Sequence, residues 1–234
     1  MVRPPGSRRS ESVKRGAAPG SKKRPLADQT VDDPEVWWRA QGLVRLVGVD
    51  EVGRGPLAGP VVAAAVILPP QVELDGLTDS KRLSPDRREL FDHQIRRQAL
   101  AYAIQAVAVF EIDRQGIMAA SLQAMAQAVQ ALPGEPEMVL VDGPWRLPLD
   151  YPQQSVVRGD ARCLSIAAAS VLAKVYRDRQ MIVYHRRYPQ YNFARHKGYG
   201  TAEHREAIRR WGPCALHRRT FRGVREWLRE DDDL

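Results

Sequence analysis

Two adjacent carboxylates, Asp50 and Glu51, end an apolar run that begins at Val44, and a glycine-rich turn with one arginine, Gly53-Arg54-Gly55, follows at once. Charge at the end of a buried strand is costly unless a cation or a proton offsets it. Glycine beside it lets a main chain come close to a ligand, because no Cβ intervenes. Two further acids recur in similar settings: Asp142 follows the apolar run Met138–Val141, and Asp160 lies in the loop before a long helical stretch. Ligands of open α/β sheets gather at the edge where strands end. Four carboxylates converging there would repel, and hard divalent cations with oxygen ligands are the natural compensation. Two such ions about 3.5–4 Å apart can stabilise the attacking and leaving oxygens of an in-line phosphoryl displacement. Each acid taken singly also has a plain structural use, and Asp160 would suit an N-cap of the helix that follows it. Asp79, ahead of Ser80-Lys81, reads as a loop cap, and Asp178 as an ion-paired acid within a helix.

The elements that must position these acids are legible in outline. β-like runs span Val44–Asp50, Leu57–Leu68 and Ala101–Val109, with Met138–Val141 and Gln153–Val157 further on. Ser84-Pro85 opens a helix to Arg97, an N-cap followed by proline at the first helical position. Helical spacing of Ile117, Ser121, Met125 and Val129 predicts one long helix over Ile112–Ala131, ended by Pro133-Gly134. Leu164–Tyr184 is a second long helix whose alanine-rich section permits close packing on a sheet, and shorter helices are expected at Ala202–Trp211 and Arg222–Leu228. Strands first without a helix between them, then separated by helices, predict an α/β fold with a mixed sheet flanked by helices.

At 234 residues the chain suits one domain with extensions. Residues 1–33 are rich in Arg, Lys, Pro, Gly and Ser with few large apolar side chains, so a disordered basic tail is expected there. The catalytic domain is then 34–229, with an acidic end at 230–234. A net charge of +8 fits a polyanionic partner. Two distant cysteines, Cys163 and Cys214, argue against a disulfide framework or structural zinc and for a reducing compartment, so a cytoplasmic location is expected. No run approaches the ~20 apolar residues that cross a bilayer, and no membrane partner is expected. Nothing in the residues indicates an oligomer, so the expectation is a monomer, and nothing speaks to docking on replication or transcription machinery.

With these motifs in order, the chain resembles ribonuclease HII, a type 2 ribonuclease H. The resemblance is carried by Asp50-Glu51-Val52-Gly53-Arg54-Gly55-Pro56-Leu57-Ala58-Gly59-Pro60, Asp79-Ser80-Lys81-Arg82-Leu83-Ser84 and Val141-Asp142-Gly143. It continues through Gly159-Asp160-Ala161 with Leu164–Ser170 and Ala173-Lys174-Val175, then Lys197-Gly198-Tyr199-Gly200-Thr201, His204 and His217–Phe221. It implies a ribonuclease H-like fold with a five-stranded mixed β-sheet flanked by helices and a helical C-terminal extension. It also implies hydrolysis of RNA in RNA/DNA hybrids and incision 5′ to single ribonucleotides in duplex DNA, leaving 3′-hydroxyl and 5′-phosphate ends. By the same resemblance Asp50, Glu51, Asp142 and Asp160 would hold Mg²⁺ or Mn²⁺, two ions during turnover. Gly53, Arg54 and Gly55 would read the ribose 2′-OH, the group that distinguishes RNA from DNA. Tyr199 would stack on the sugar after the ribonucleotide, and Lys81 and Lys197 would touch phosphates. Arg162-Cys163 departs from the usual Lys-Ser. Part of the arginine-dense stretch, with Arg186, Arg187, Arg209, Arg210, Arg218, Arg219 and Arg222, is expected to track the duplex backbone, and others to pair with Glu203, Glu206 and Glu226. The sister ribonuclease HIII favours lysine in the Gly-x-Gly turn, which Arg54 argues against. A phosphate-binding NTPase would need Gly-Lys-Ser/Thr after the glycines, and none follows.

Overall fold

The computed structural model describes Met1 and residues 33–228. The basic stretch at 2–32 and the acidic end at 230–234 lie outside the described residues. Five strands form one sheet in the order β3-β2-β1-β4-β5: β1 (Leu46–Val52), β2 (Val61–Ile67), β3 (Ala101–Val107), β4 (Met138–Asp142) and β5 (Gln153–Val156). β1 pairs antiparallel with β2 and β2 with β3, whereas β1–β4 and β4–β5 are parallel. The sheet is therefore mixed, and β1, β4 and β5 all end at the same edge.

Both faces of the sheet centre are covered, which is why β2, Val-Val-Ala-Ala-Ala-Val-Ile, reads as an unbroken apolar run rather than an alternating one. On one face α4 (Ile117–Gln130) lays Ala120, Ala124, Met125 and Ala128 against Val47, Val49, Ala63 and Val141. On the other, α5 (Leu164–Arg187) packs Ala168, Ala169, Val171 and Leu172 against Val62, Ala64 and Val66, with α2 (Pro85–Gln98) outside it. Gly48 permits that approach: a Cβ there would stand 2.2 Å from the Ser165 carbonyl carbon and 2.4 Å from the Ile166 nitrogen.

Several boundaries differ from expectation for local reasons. The single helix expected over Ile112–Ala131 is two, α3 (Val109–Gln115) and α4, because Gly116 takes φ +84° between them. Leu57–Pro60 leave the expected second strand and form a loop, and β2 begins only at Val61. Arg222–Leu228 is not a helix but holds one 3₁₀ turn, Arg225–Trp227. Composition assigned Asp33 to the tail, yet its carboxylate accepts from the Glu35 and Val36 amides and caps α1 (Pro34–Ala40). That short helix docks through buried Trp38, whose Nε1 donates to Gln154 at 2.6 Å, and through buried Glu35.

The C-terminal part, with α6 (Phe193–His196) and α7 (Ala202–Trp211), packs Ala58, Met181, Tyr191, Phe193 and Ala207 into a second small core. Three buried histidines, His196, His204 and His217, line up within it. No helix among the described residues is long and apolar enough to cross a membrane. Gly48→Ala drives a methyl into main chain rather than into a flexible side chain. We expect it to cost about 3 kcal/mol and lower the unfolding midpoint by about 6–12 °C in a thermal melt. An unchanged melt would mean that α5 does not rest on β1 this closely.

Candidate active site

The pairing register sets the acids. Val49 lies beside Val141 across the parallel β1–β4 pair, so Asp50 and Asp142 occupy the next step of neighbouring strands. Side chains alternate along a strand, so both acids point to the α5 side of the sheet and Glu51 to the other. Asp160 follows the end of β5 in the 3₁₀ turn Gly159–Ala161. Asp160 is not the cap of α5, because Cys163 is the N-cap residue and the carboxylate that accepts from the Ser165 amide, at 2.8 Å, belongs to Glu35. That leaves Asp160 without the plain structural use its position suggested.

The acids sit where a negative charge is poorly tolerated. Burial pushes the Asp50 carboxyl well above its ordinary range, and Glu51 and Asp142 push it further, against hydrogen bonds from Ser170 and the Glu51 amide. Burial also raises Glu51, partly offset by Arg54, whose Nη1 lies 3.5 Å from Oε1. Asp142 is raised by burial although the Gly159 amide donates to its Oδ1 at 2.7 Å. Asp160 is raised by burial and then by Asp142. Burial alone would depress Lys81, but Asp79, Asp50, Asp160 and Asp142 outweigh it and hold the ammonium above the ordinary lysine value. Lys81 therefore stands inside the field of the acids. Asp79 caps the turn that carries it, accepting from the Lys81 amide at 2.9 Å.

Beside the acids runs the glycine turn, and two fully buried arginines hold it. Arg177, in α5, donates from Nε to the Pro60 carbonyl, from Nη2 to Ala58 and from Nη1 to Lys197, at 3.0–3.1 Å. Arg218 donates to the carbonyls of Gly53, Arg54 and Gly59. Gly53, at φ +98°, leaves room for this: a Cβ would meet Arg177 Nε at 2.4 Å. The Leu57 amide donates to the Gly198 carbonyl at 2.8 Å, which brings Tyr199 alongside. A Cβ on Gly55 would meet only the Tyr199 ring, at 3.8 Å, and that ring is 43% exposed. The Arg54 guanidinium lies over the Trp145 ring and 3.0 Å from Met118 sulfur.

The structure thus brings Asp50, Glu51, Asp142, Asp160 and Lys81 to one edge, with Gly53, Arg54, Gly55 and Tyr199 adjoining. Lys197 is half-buried, its Nζ donating to the Ala194 carbonyl while its own carbonyl receives Arg177. Arg218, one of the arginine-dense stretch expected in part to track the duplex and in part to pair with glutamates, does neither and is a core residue; burial drives its pKa down to about 9, with Arg177 adding to the effect. Arg209 and Arg195 pair with Glu206 and Glu203, and Asp178 pairs with Lys174. Sequence reasoning missed Glu35, Trp145, Arg177 and Arg218 as parts of the site's frame. Asp33-Pro34, an N-cap with proline behind it, was the available signal for Glu35. The arginines carried no signal, since a buried one and an exposed one read alike.

Among the described residues, no three His, Cys, Asp or Glu side chains are closed into a ready metal cluster. The donor set is nonetheless all carboxylate oxygen, the ligand type that hard divalent cations take. A cation placed there would offset the burial that lifts all four acids and the mutual repulsion that adds to it at Asp50, Glu51 and Asp160, so the residues fit such an ion.

The family model described as Ribonuclease HII matches residues 47–224, which include all four acids. A ribonuclease HII of Syntrophotalea carbinolica is 57% identical over 188 residues, covering 80% of this chain and 90% of its own. The crystal structure of ribonuclease H2 from Pyrococcus horikoshii superposes with a TM-score of 0.65 at 24% identity, covering 77% of this chain and 95% of that one. Bst-RNase HIII in complex with Mn²⁺ superposes with a TM-score of 0.63 at 20% identity, covering 80% and 70% respectively. The two structures agree with the mixed five-stranded sheet and its flanking helices, a ribonuclease H-like fold. On the family match and the identity to its relative, the chain belongs to the ribonuclease HII family of endoribonucleases.

Proposed function

We propose that the chain hydrolyses RNA in RNA/DNA hybrids and incises 5′ to single ribonucleotides in duplex DNA, giving 3′-hydroxyl and 5′-phosphate ends. The observation that carries this reading is the meeting of four charge-strained carboxylates with a glycine turn and an exposed tyrosine at one sheet edge. Asp50, Glu51, Asp142 and Asp160 would hold two divalent ions, Mg²⁺ or Mn²⁺; the Mn²⁺ in the Bst-RNase HIII neighbour supports the choice. Bound there, the ions would supply Lewis-acid stabilisation of phosphate charge and a water of lowered pKa.

The chain's own groups prepare the site. The Gly159 amide donates to Oδ1 of Asp142, and the Asp160 and Gly143 amides also favour that carboxylate's charge, so its orientation is fixed before a cation arrives. Lys81 offsets part of the negative field, which lets a phosphate approach four acids. Arg218 occupies the Gly53 and Arg54 carbonyls, so the turn has its amides and the open side of Gly55 left for a sugar. A ribose 2′-OH can accept from such an amide, and a deoxyribose offers nothing there. Tyr199, beside Gly55, is the flat surface for the next sugar, where the strand changes from RNA to DNA.

A DNA duplex with one ribonucleotide tests the reaction. We expect incision 5′ to the ribose with Mg²⁺ or Mn²⁺ and none on all-DNA duplex; cleavage that persists in chelator would remove the metal-ion reading. Asp142→Asn should lower turnover by about 10²-fold or more while hybrid binding persists, because the charge of a cation ligand is lost while the amide oxygen can still accept from Gly159. Full activity of that variant would take Asp142 out of the site. Tyr199→Ala should lose about tenfold at a single ribonucleotide and less on a long hybrid, where many sugars share the contact. Equal losses would count against junction recognition.

A further inference from the structure

Tyr199 is held by histidines at both ends of its main chain. Its amide donates to the His196 carbonyl at 2.9 Å, and its carbonyl lies 2.9 Å from His204 Nδ1. His204 Nε2 lies 3.0 Å from His217 Nε2, and the Cys214 amide donates to His217 Nδ1 at 2.9 Å. His204 and His217 are almost wholly buried.

The direction of each bond follows from the one group that cannot change. A backbone amide only donates, so His217 Nδ1 carries the lone pair and a neutral His217 carries its proton on Nε2. One proton fits between two Nε2 atoms, so His204 Nε2 accepts. His204 then has its proton on Nδ1, aimed at the Tyr199 carbonyl. Burial favours the neutral rings this requires, lowering His204 to about 4 and His217 to about 3. Every ring nitrogen of His196, His204 and His217 is engaged in this way, with His196 Nδ1 accepting from Gly198 and its Nε2 meeting the Tyr191 carbonyl. No nitrogen is left over for a metal.

We propose that His204, its proton direction set by His217, is a positioning residue that fixes the Tyr199 ring against Gly55 and so sets the preference for a single embedded ribonucleotide over a long hybrid. The proposal rests on the reading of Tyr199 as the junction contact. Neither histidine touches substrate. Leu57 donates to the Gly198 carbonyl and Arg177 to the Lys197 carbonyl, so the loop before Tyr199 is tied from the glycine-turn side. On the opposite side the Tyr199 carbonyl receives the Thr201 amide, at 2.8 Å, which belongs to its own turn, and His204, which ties it to α7, so the ring's height depends on both sides.

Two substitutions separate the bonds. Asparagine at 204 keeps a donor where Nδ1 stands, and glutamine keeps an acceptor where Nε2 stands. We expect His204→Gln to lower kcat/KM on a single-ribonucleotide duplex about tenfold more than on a long hybrid. His204→Asn should keep the wild-type ratio. Equal losses on both substrates in both variants, or no difference between Asn and Gln, would overturn the proposal. Nitrogen-15 spectra of the wild-type imidazoles give a readout that needs no variant to fold. The His204 proton is expected on Nδ1 and the His217 proton on Nε2, and the opposite assignment overturns the chain of bonds. Tyr199→Ala run in parallel separates the two failures. If it loses both activities equally, the junction reading falls and takes the substrate preference with it; if it is selective while His204→Gln is not, the positioning role alone falls.

Discussion

Two guanidinium groups, Arg177 and Arg218, hold the centre of this molecule, and neither forms an ion pair with a carboxylate among the described residues. Burying an unpaired charge is among the costliest acts in a protein interior, and it persists only where hydrogen bonds replace the lost water. Here main-chain carbonyls do so, from Gly53, Arg54, Ala58, Gly59, Pro60 and Lys197. Those carbonyls belong to segments with no regular structure of their own, and without the arginines they would be buried acceptors lacking donors. One pair of side chains thus turns an irregular loop into a fixed surface. The placement of the turn beside β1, and of Tyr199 beside the turn, both follow from it.

The acids answer to a different constraint. Three parallel strands ending together, one of them followed directly by a 3₁₀ turn, necessarily deliver whatever side chains stand at those ends to one place. The chain puts carboxylates there, Asp50 and Asp142 on the side that α5 packs, so the folded protein holds anionic groups in an environment that resists their charge. Such a site stores a demand for positive charge. Lys81 meets part of it, and what remains is directed at whatever cation and phosphate arrive together.

Much of this is legible in the order of residues alone. Strand ends bearing Asp50 and Asp142 stand out, because a carboxylate that closes an apolar run needs a compensating charge from beyond its own strand. Ser84-Pro85 marks the start of α2 for a local chemical reason, and the helix begins there to the residue. Failures come where the deciding interaction is distant. Gly116 is absorbed into a periodic pattern because apolar spacing continues across it, although its positive φ splits the helix. Arg218 looks like its exposed neighbours because nothing nearby in sequence encodes the carbonyls it meets, which lie about 160 residues earlier. α1 is overlooked because it follows a basic, proline-rich stretch, and its value lies in capping a helix more than a hundred residues away.

The closeness of Gly53 to Arg177 has an evolutionary consequence. Any side chain at position 53 collides with the guanidinium, so the glycine cannot change while the arginine stays. Removing the arginine first strands the carbonyls of Ala58, Pro60 and Lys197, so the arginine cannot go first either. Two positions 124 apart in the chain therefore constrain each other, and Gly53 is held further by its φ of +98° and by the Pro60 carbonyl, 2.8 Å from where a Cβ would stand. A single substitution at either position thus carries a cost set by the other.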